Sequence, residues 1–157
     1  MRVLFTIFIA VIAFAAGVWY MGGFEPTPPA PAPVEVIVPV ETPVQARYEN
    51  ADSNMIQVSA PLPGASLPSR FTISGKARGG WYFEASFPFQ VLDSNGIKIA
   101  EGPVQASGEW MTPEFVPFTR EINVAGYQGN ATLVLKNDNP SGLPENDASI
   151  SIPITIR

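Results

Sequence analysis

Four glutamates, Glu84, Glu101, Glu109 and Glu114, are the groups from which acid–base chemistry would have to be assembled in this sequence. Glycoside cleavage, for example, needs two carboxyls held a few ångströms apart across a cleft. Nothing in the spacing of these four selects a pair, and acidic residues on outward strand faces are ordinary solvated surface. Histidine and cysteine are both absent. That removes the commonest general base, the commonest zinc ligand, thiol nucleophiles and every Ser-His-Asp or Cys-His arrangement. With no recognisable catalytic constellation, the expectation is a protein that is not an enzyme and uses no cofactor. An envelope hydrolase built on a carboxylate pair is the reading set aside.

Two other stretches are suited to binding. Residues 137–147, NDNPSGLPEND, are rich in oxygen ligands. Counting Asn137 as the first position of a calcium loop puts Asn139 third, Ser141 fifth and Gly142 sixth, but leaves neutral side chains at the charged positions and Ala148 where the bidentate glutamate belongs. The segment reads better as a turn in which Asn, Asp and Ser side chains bond nearby backbone and Gly142 takes a positive φ. Trp81, Tyr82 and Phe83 are three adjacent aromatics. In extended chain, alternate side chains point to opposite faces, so at least one ring faces outward. With Trp110 and with Asn137, Asp138, Asn139 and Ser141, they make the candidate interaction surface, a platform for a partner protein or a glycan. The alternative places two of the rings in the core and the third over a sheet edge.

The formal charge is −5, and about one unit more negative once Arg2 is set aside with the N-terminal segment. No basic footprint for nucleic acid is present. Residues 1–24 read as a transmembrane signal-anchor. Val3 to Phe24 carries no charge, and 22 residues at helical rise reach about 33 Å, enough for a hydrocarbon core of about 30 Å. Arg2 and the amino terminus on one side and Glu25 on the other keep the N-terminus cytoplasmic, with Trp19 and Tyr20 near the far headgroups. The competing reading is a cleaved signal peptide, with a small-residue site at Ala13, Phe14 and Ala15. Either way the rest of the chain is exported: single-pass at the cell membrane, or secreted if cut.

Residues 25–49 form a proline-rich linker, with seven prolines between 25 and 46. Each fixes φ and removes a backbone donor. An extended polyproline spacer of roughly 60 to 70 Å is expected; a plain tether, or an edge strand at Val34–Val38 ended by Pro39, are the alternatives.

Residues 50–157 alternate apolar and polar with a period of two, and no stretch carries a helical stripe. Seven strands are predicted: around Met55–Val58, Phe71–Lys76, Glu84–Asp93, Ile97–Ala106, Phe115–Val124, Ala131–Asn137 and Ile150–Ile156. The third and fourth are joined by Ser94-Asn95-Gly96 as a hairpin. Pro88 demotes the third to an edge strand or marks a bulge. Short strands at this spacing fit an all-β, two-sheet sandwich. Val134 and Ile154 are expected inside, with Trp81 or Trp110 as a central plug whose indole N–H needs an acceptor.

Three stretches resemble one family in the order that family would have them: FTISGKARGGWYFEASFPF at 71–89, LDSNGIKIAEGPVQASGEWM at 92–111 and LVLKNDNPSGLPEN at 133–146. They are similar to the immunoglobulin-like domain of bacterial spore germination proteins, over about residues 54–156. The most specific elements are the Gly-Trp-aromatic-Phe-Glu run at 80–84, Gly-x-Trp-Met at 108–111 and Asn137-Asp138-Asn139-Pro140-Ser141-Gly142. The resemblance implies an immunoglobulin-like sandwich serving interaction or adhesion. No companion lipoprotein-type domain precedes the sandwich and the predicted anchor is a helix, a departure that puts a sporulation role in doubt. The function expected is therefore a membrane-anchored extracytoplasmic interaction module of the bacterial envelope. Its partner would be an unknown envelope protein, with a glycan- or peptidoglycan-binding module as the alternative.

Overall fold

Along Arg70–Arg78, Phe71, Ile73 and Ala77 are buried while Arg70, Thr72 and Lys76 face water. Along Ser149–Ile156 the four isoleucines 150, 152, 154 and 156 are buried and the residues between them are not. Strands with one apolar face must bury it against a second sheet, and each such side chain contributes about 1.5 to 3 kcal/mol on burial. A computed structural model describes residues 43–157, which form nine strands: β1 (Arg47–Glu49), β2 (Ile56–Ala60), β3 (Ala65–Leu67), β4 (Arg70–Arg78), β5 (Ser86–Asp93), β6 (Lys98–Gln105), β7 (Phe115–Asn123), β8 (Gly129–Lys136) and β9 (Ser149–Ile156). One sheet has the order β1-β9-β8-β5-β6, with β3 also on β9; the other is β2-β4-β7. Phe87, Phe89, Val91, Leu133 and Leu135 of the first meet Ile56, Ile73, Phe118 and Ile122 of the second in a single core.

All seven predicted strands are present, and two more were not predicted. The first, β1, falls at the end of the stretch read as linker and pairs antiparallel with the upper half of β9. The second, β3, lies inside the turn cluster and runs parallel to the lower half of β9. Each has three residues, too few to display a period, and each is held by a partner far along the chain. The third predicted strand starts two residues late, at Ser86, because Glu84 and Ala85 take left-handed φ of 48° and 62°. At the hairpin, Gly96 has φ 80° and Asp93 Oδ1 accepts from the N–H groups of Asn95 and Ile97, both at 2.8 Å.

Pro88 does not make β5 an edge strand. It lies opposite Pro103 of β6, and two residues that both lack an N–H can face each other only at a non-hydrogen-bonded pair. The missing donor of Pro88 then points towards β8, whose ladder with β5 begins one residue later at Phe89. Pro153 is accommodated in a similar way. It sits on β9 between the segments paired to β1 and β3, and its carbonyl accepts from the Gly64 N–H at 2.7 Å.

Ile154 is in the core as expected. Val134 is buried too, but alternation with Leu133 and Leu135 puts it on the outer face, flanked by Gln90 and Ser151. The central plug is Trp81; Trp110 is half-buried against the core. The Trp81 indole N–H has no hydrogen-bond partner among the protein atoms, contrary to the expectation of an acceptor; the indole stands edge-on to the Phe87 ring within the apolar core. Among the described residues no helix is long and apolar enough to cross a membrane. The expected span at residues 3–24 and the prolines before Pro43 lie outside the described residues.

Candidate interaction surface at one end of the sandwich

The antiparallel order brings four connections to one end: residues 50–55 before β2, 79–85 between β4 and β5, 106–114 between β6 and β7, and 137–148 between β8 and β9. Turn and strand residues tie them to one another. The Arg78 N–H donates to the Met55 carbonyl at 2.8 Å, the Asp138 N–H to the Trp81 carbonyl at 3.0 Å, and the Ala106 N–H to the Ala85 carbonyl at 2.8 Å. Asn50 Nδ2 reaches the Asp147 carbonyl at 3.0 Å. Gly79 is pressed so closely on the 106–114 connection that a Cβ there would lie 1.9 Å from the Thr112 carbonyl oxygen and 2.3 Å from that of Trp110. Four loops cross-tied in this way form one fixed surface.

The aromatic run divides sharply. Trp81 and Tyr82 are 2% and 3% exposed, and only Phe83 faces water, at 40%. Trp81 and Tyr82 stand edge-on to Phe87 with ring centroids 6.5 and 5.2 Å away, and Phe87 in turn to Phe118 at 5.1 Å. The Tyr82 hydroxyl donates to the Val116 carbonyl at 2.8 Å, and burial pushes its phenol up to about 12. A flat platform of three rings is therefore not available on the surface. The short 3-10 turn Gly79–Trp81 causes this, since it turns two successive rings inward where an extended strand would have split them.

The 137–148 connection is latched by its own side chains. Asn139 Nδ2 donates to the Leu143 carbonyl and to Asp147 Oδ1, both at 2.8 Å, while Asn139 Oδ1 accepts from Ser141 Oγ at 2.6 Å. Asn137 bridges the ends of the loop, donating to the Asn146 carbonyl at 2.9 Å and accepting from the Ala148 N–H at 2.7 Å. Gly142 has φ 66°. Asn137, Asn139 and Ser141 are thus used inside the loop, as the turn reading requires. Asp138 is half-buried and lines, with Glu49, Pro88, Lys136, Pro144 and Asp147, a concavity of about 490 Å³ beside the latch. Among the described residues no three acidic side chains converge as metal ligands. Of the four glutamates considered for acid–base work, Glu84, Glu109 and Glu114 lie in the loops of this end, and Glu101 is on β6, paired to Lys98.

Sequence reasoning missed three residues that the surface presents. Met55, Met111 and Leu143 are 38%, 75% and 50% exposed and, with Phe83, give each of the four loops one exposed large apolar side chain. A signal was available for Leu143, a large apolar residue alone in a turn-rich stretch, whereas Met55 and Met111 adjoin Ile56 and Trp110 and do not stand out along the chain. The chain enters the described domain at the opposite end, where Val44 packs close to Gly64, and Arg157 ends there too, its N–H bonded to the Leu67 carbonyl at 2.9 Å.

Residues 55–142 match the family described as the immunoglobulin-like domain of bacterial spore germination. The matched span runs from the start of β2 into the latched loop and leaves β9 outside it. Comparison with curated proteins finds no match.

Proposed function

From the premise that this chain belongs to the family of immunoglobulin-like domains of bacterial spore germination, we propose that it is a non-catalytic interaction module of the bacterial envelope. It is tethered through residues 3–24 and meets an envelope protein with its four-loop end. The observation that carries this reading is the placement of Met55, Phe83, Met111 and Leu143 at the end of the domain opposite Val44, where the chain enters. Loops fixed by a rigid sandwich are a common place for binding residues, and loops already tied together lose little entropy on binding. The uncharged stretch Val3–Phe24 supports the tether, and the lack of histidine and cysteine supports a non-catalytic role.

The test is site-specific photo-cross-linking in intact cells, with the full chain carrying the photoreactive residue at Met111 or at Thr72 on the outer face of β4. A discrete protein adduct from Met111 and none from Thr72 is expected, together with recovery of the chain in the membrane fraction and removal of the domain by protease added outside. Equal adducts from both positions would reject the loop end as the contact, and recovery in the cytosol would reject the tether.

A further inference from the structure

The two ends of the sandwich differ in charge more than composition requires. The four loops of the far end hold seven acidic residues, Asp52, Glu84, Glu109, Glu114, Asp138, Glu145 and Asp147, and no lysine or arginine. The connections at the opposite end, 61–64, 68–69, 94–97 and 124–128, hold no charged residue at all. Strand-terminal residues add Glu49, Arg78 and Lys136 to the loop end, so eight acids less two bases leave a formal −6 there. The rest of residues 43–157 has three acids (Asp93, Glu101, Glu121) against six bases (Arg47, Arg70, Lys76, Lys98, Arg120, Arg157), a formal +3.

Little of the negative charge is answered locally. Arg78 lies 3.8 Å from Glu114 and is further committed to the Asn54 and Pro113 carbonyls and the Phe115 ring. Among the described residues, Glu114 is the one acid of these eight in a salt bridge. Glu84, Glu109 and Glu145 are exposed, in the same loops as the exposed Phe83, Met111 and Leu143. Like charges gathered on one face repel one another within a screening length of about 8 Å. Such an arrangement is favourable only towards something positive. Exposed methionine and phenylalanine, in turn, gain from apolar contact that an ion alone does not offer.

Resting on the reading of this end as the contact surface, we propose that the four-loop end docks a cationic, apolar-bearing segment of its partner protein, a surface or helix with lysine or arginine interleaved with aliphatic side chains. Glu84, Glu109 and Glu145 supply the charge that steers and orients it, and Phe83, Met111 and Leu143 supply the contact. Nucleic acid, acidic lipid and phosphate-rich wall polymer are disfavoured by the same field.

The probes are synthetic: an amphipathic helix of leucine and lysine, its leucine and glutamate counterpart, and oligolysine without leucine. The full chain is held in phosphatidylcholine nanodiscs, whose lipid has no net charge. The leucine–lysine peptide is expected to bind and to weaken as salt rises, with the other two peptides binding much more weakly. E84Q/E109Q/E145Q and F83A/M111A/L143A should each reduce its affinity about tenfold or more, a change of about 1.4 kcal/mol. E101Q/E121Q, which removes charge from the sheets instead, should leave it within about twofold. Equal binding of the leucine–glutamate peptide, or equal loss in E101Q/E121Q, would overturn the proposal. So would undiminished binding in either triple variant. Cross-linking at Met111 in cells separates this failure from failure of the module itself. An adduct that persists at full yield in E84Q/E109Q/E145Q keeps the contact surface and rejects the charge requirement, whereas no adduct in the natural chain rejects both.

Discussion

Tyr82, between a buried indole and an exposed phenyl ring, illustrates how much one side chain commits at this end of the domain. Its hydroxyl holds the Val116 carbonyl and its ring lies edge-on to Phe87. Burial pushes the phenol up to about 12 from 10.0. Below pH 10 the phenol is protonated in both folded and unfolded chains, so its contribution to stability is fully present. Between about 10 and 12 the unfolded chain releases its proton first, and stability falls by about 2 to 3 kcal/mol. Urea midpoints measured from pH 9 to 12 should therefore fall more steeply for the natural protein than for Tyr82→Phe; parallel curves would mean that the phenol is not desolvated. Tyr82→Phe should itself cost about 0.5 to 1.5 kcal/mol at neutral pH, the ordinary value of one hydrogen bond. The sequence placed three aromatics together and could say that at least one faces outward. It could not say which, because the 3-10 turn at Gly79–Trp81 breaks the alternation on which such an assignment depends.

At the scale of elements, Gly79 is where β4 hands over to that turn, and its missing Cβ lets the 106–114 connection close over it. Gly79→Ala should lower stability by about 2 kcal/mol or more, in the range of an overpacked core site. It should also speed amide exchange selectively at Ala106–Glu114. Gly80→Ala is the matched control, since a Cβ there meets nothing within 4 Å, and equal effects of the two would refute the close approach as the cause. Strand prediction succeeded where runs of five or more residues display their period, as in β2, β4, β5 and β9. It failed for β1 and β3, which are three residues each and exist because β9 offers them an edge. Pro88 misled for a related reason. A proline excludes a hydrogen bond on one side of a strand, and only the register with Pro103 and the start of the β5–β8 ladder at Phe89 reveal that no bond was needed there.

For the whole molecule, the N-terminal limit of the folded domain is set by pairing with β9. Arg47 to Glu49 pair with Ser149 to Ser151, so a broad-specificity protease acting on the full chain should leave a resistant fragment that begins between Val44 and Arg47 and retains Arg157. Mass spectrometry reads the ends directly. A fragment beginning beyond Asn50 would mean that β1 does not fold with the rest. The charge of the loop end is likewise a property of the whole, since its acids come from four stretches that lie far apart in the sequence.

The sequence alone determined the class of fold, because a period of two is a local property that survives without knowledge of partners. It also determined that the stretch after β8 is a turn held by its own side chains, since bonds such as those from Asn139 to Leu143 and from Ser141 to Asn139 span four residues or fewer. Tertiary structure alone decided which loops share an end, which of Trp81 and Trp110 fills the core, and that the exposed methionines share an end with the carboxylates. Those outcomes depend on strand order across two sheets, which joins residues up to about a hundred positions apart, as Asn50 and Asp147 are joined. No pattern read along the chain carries that information.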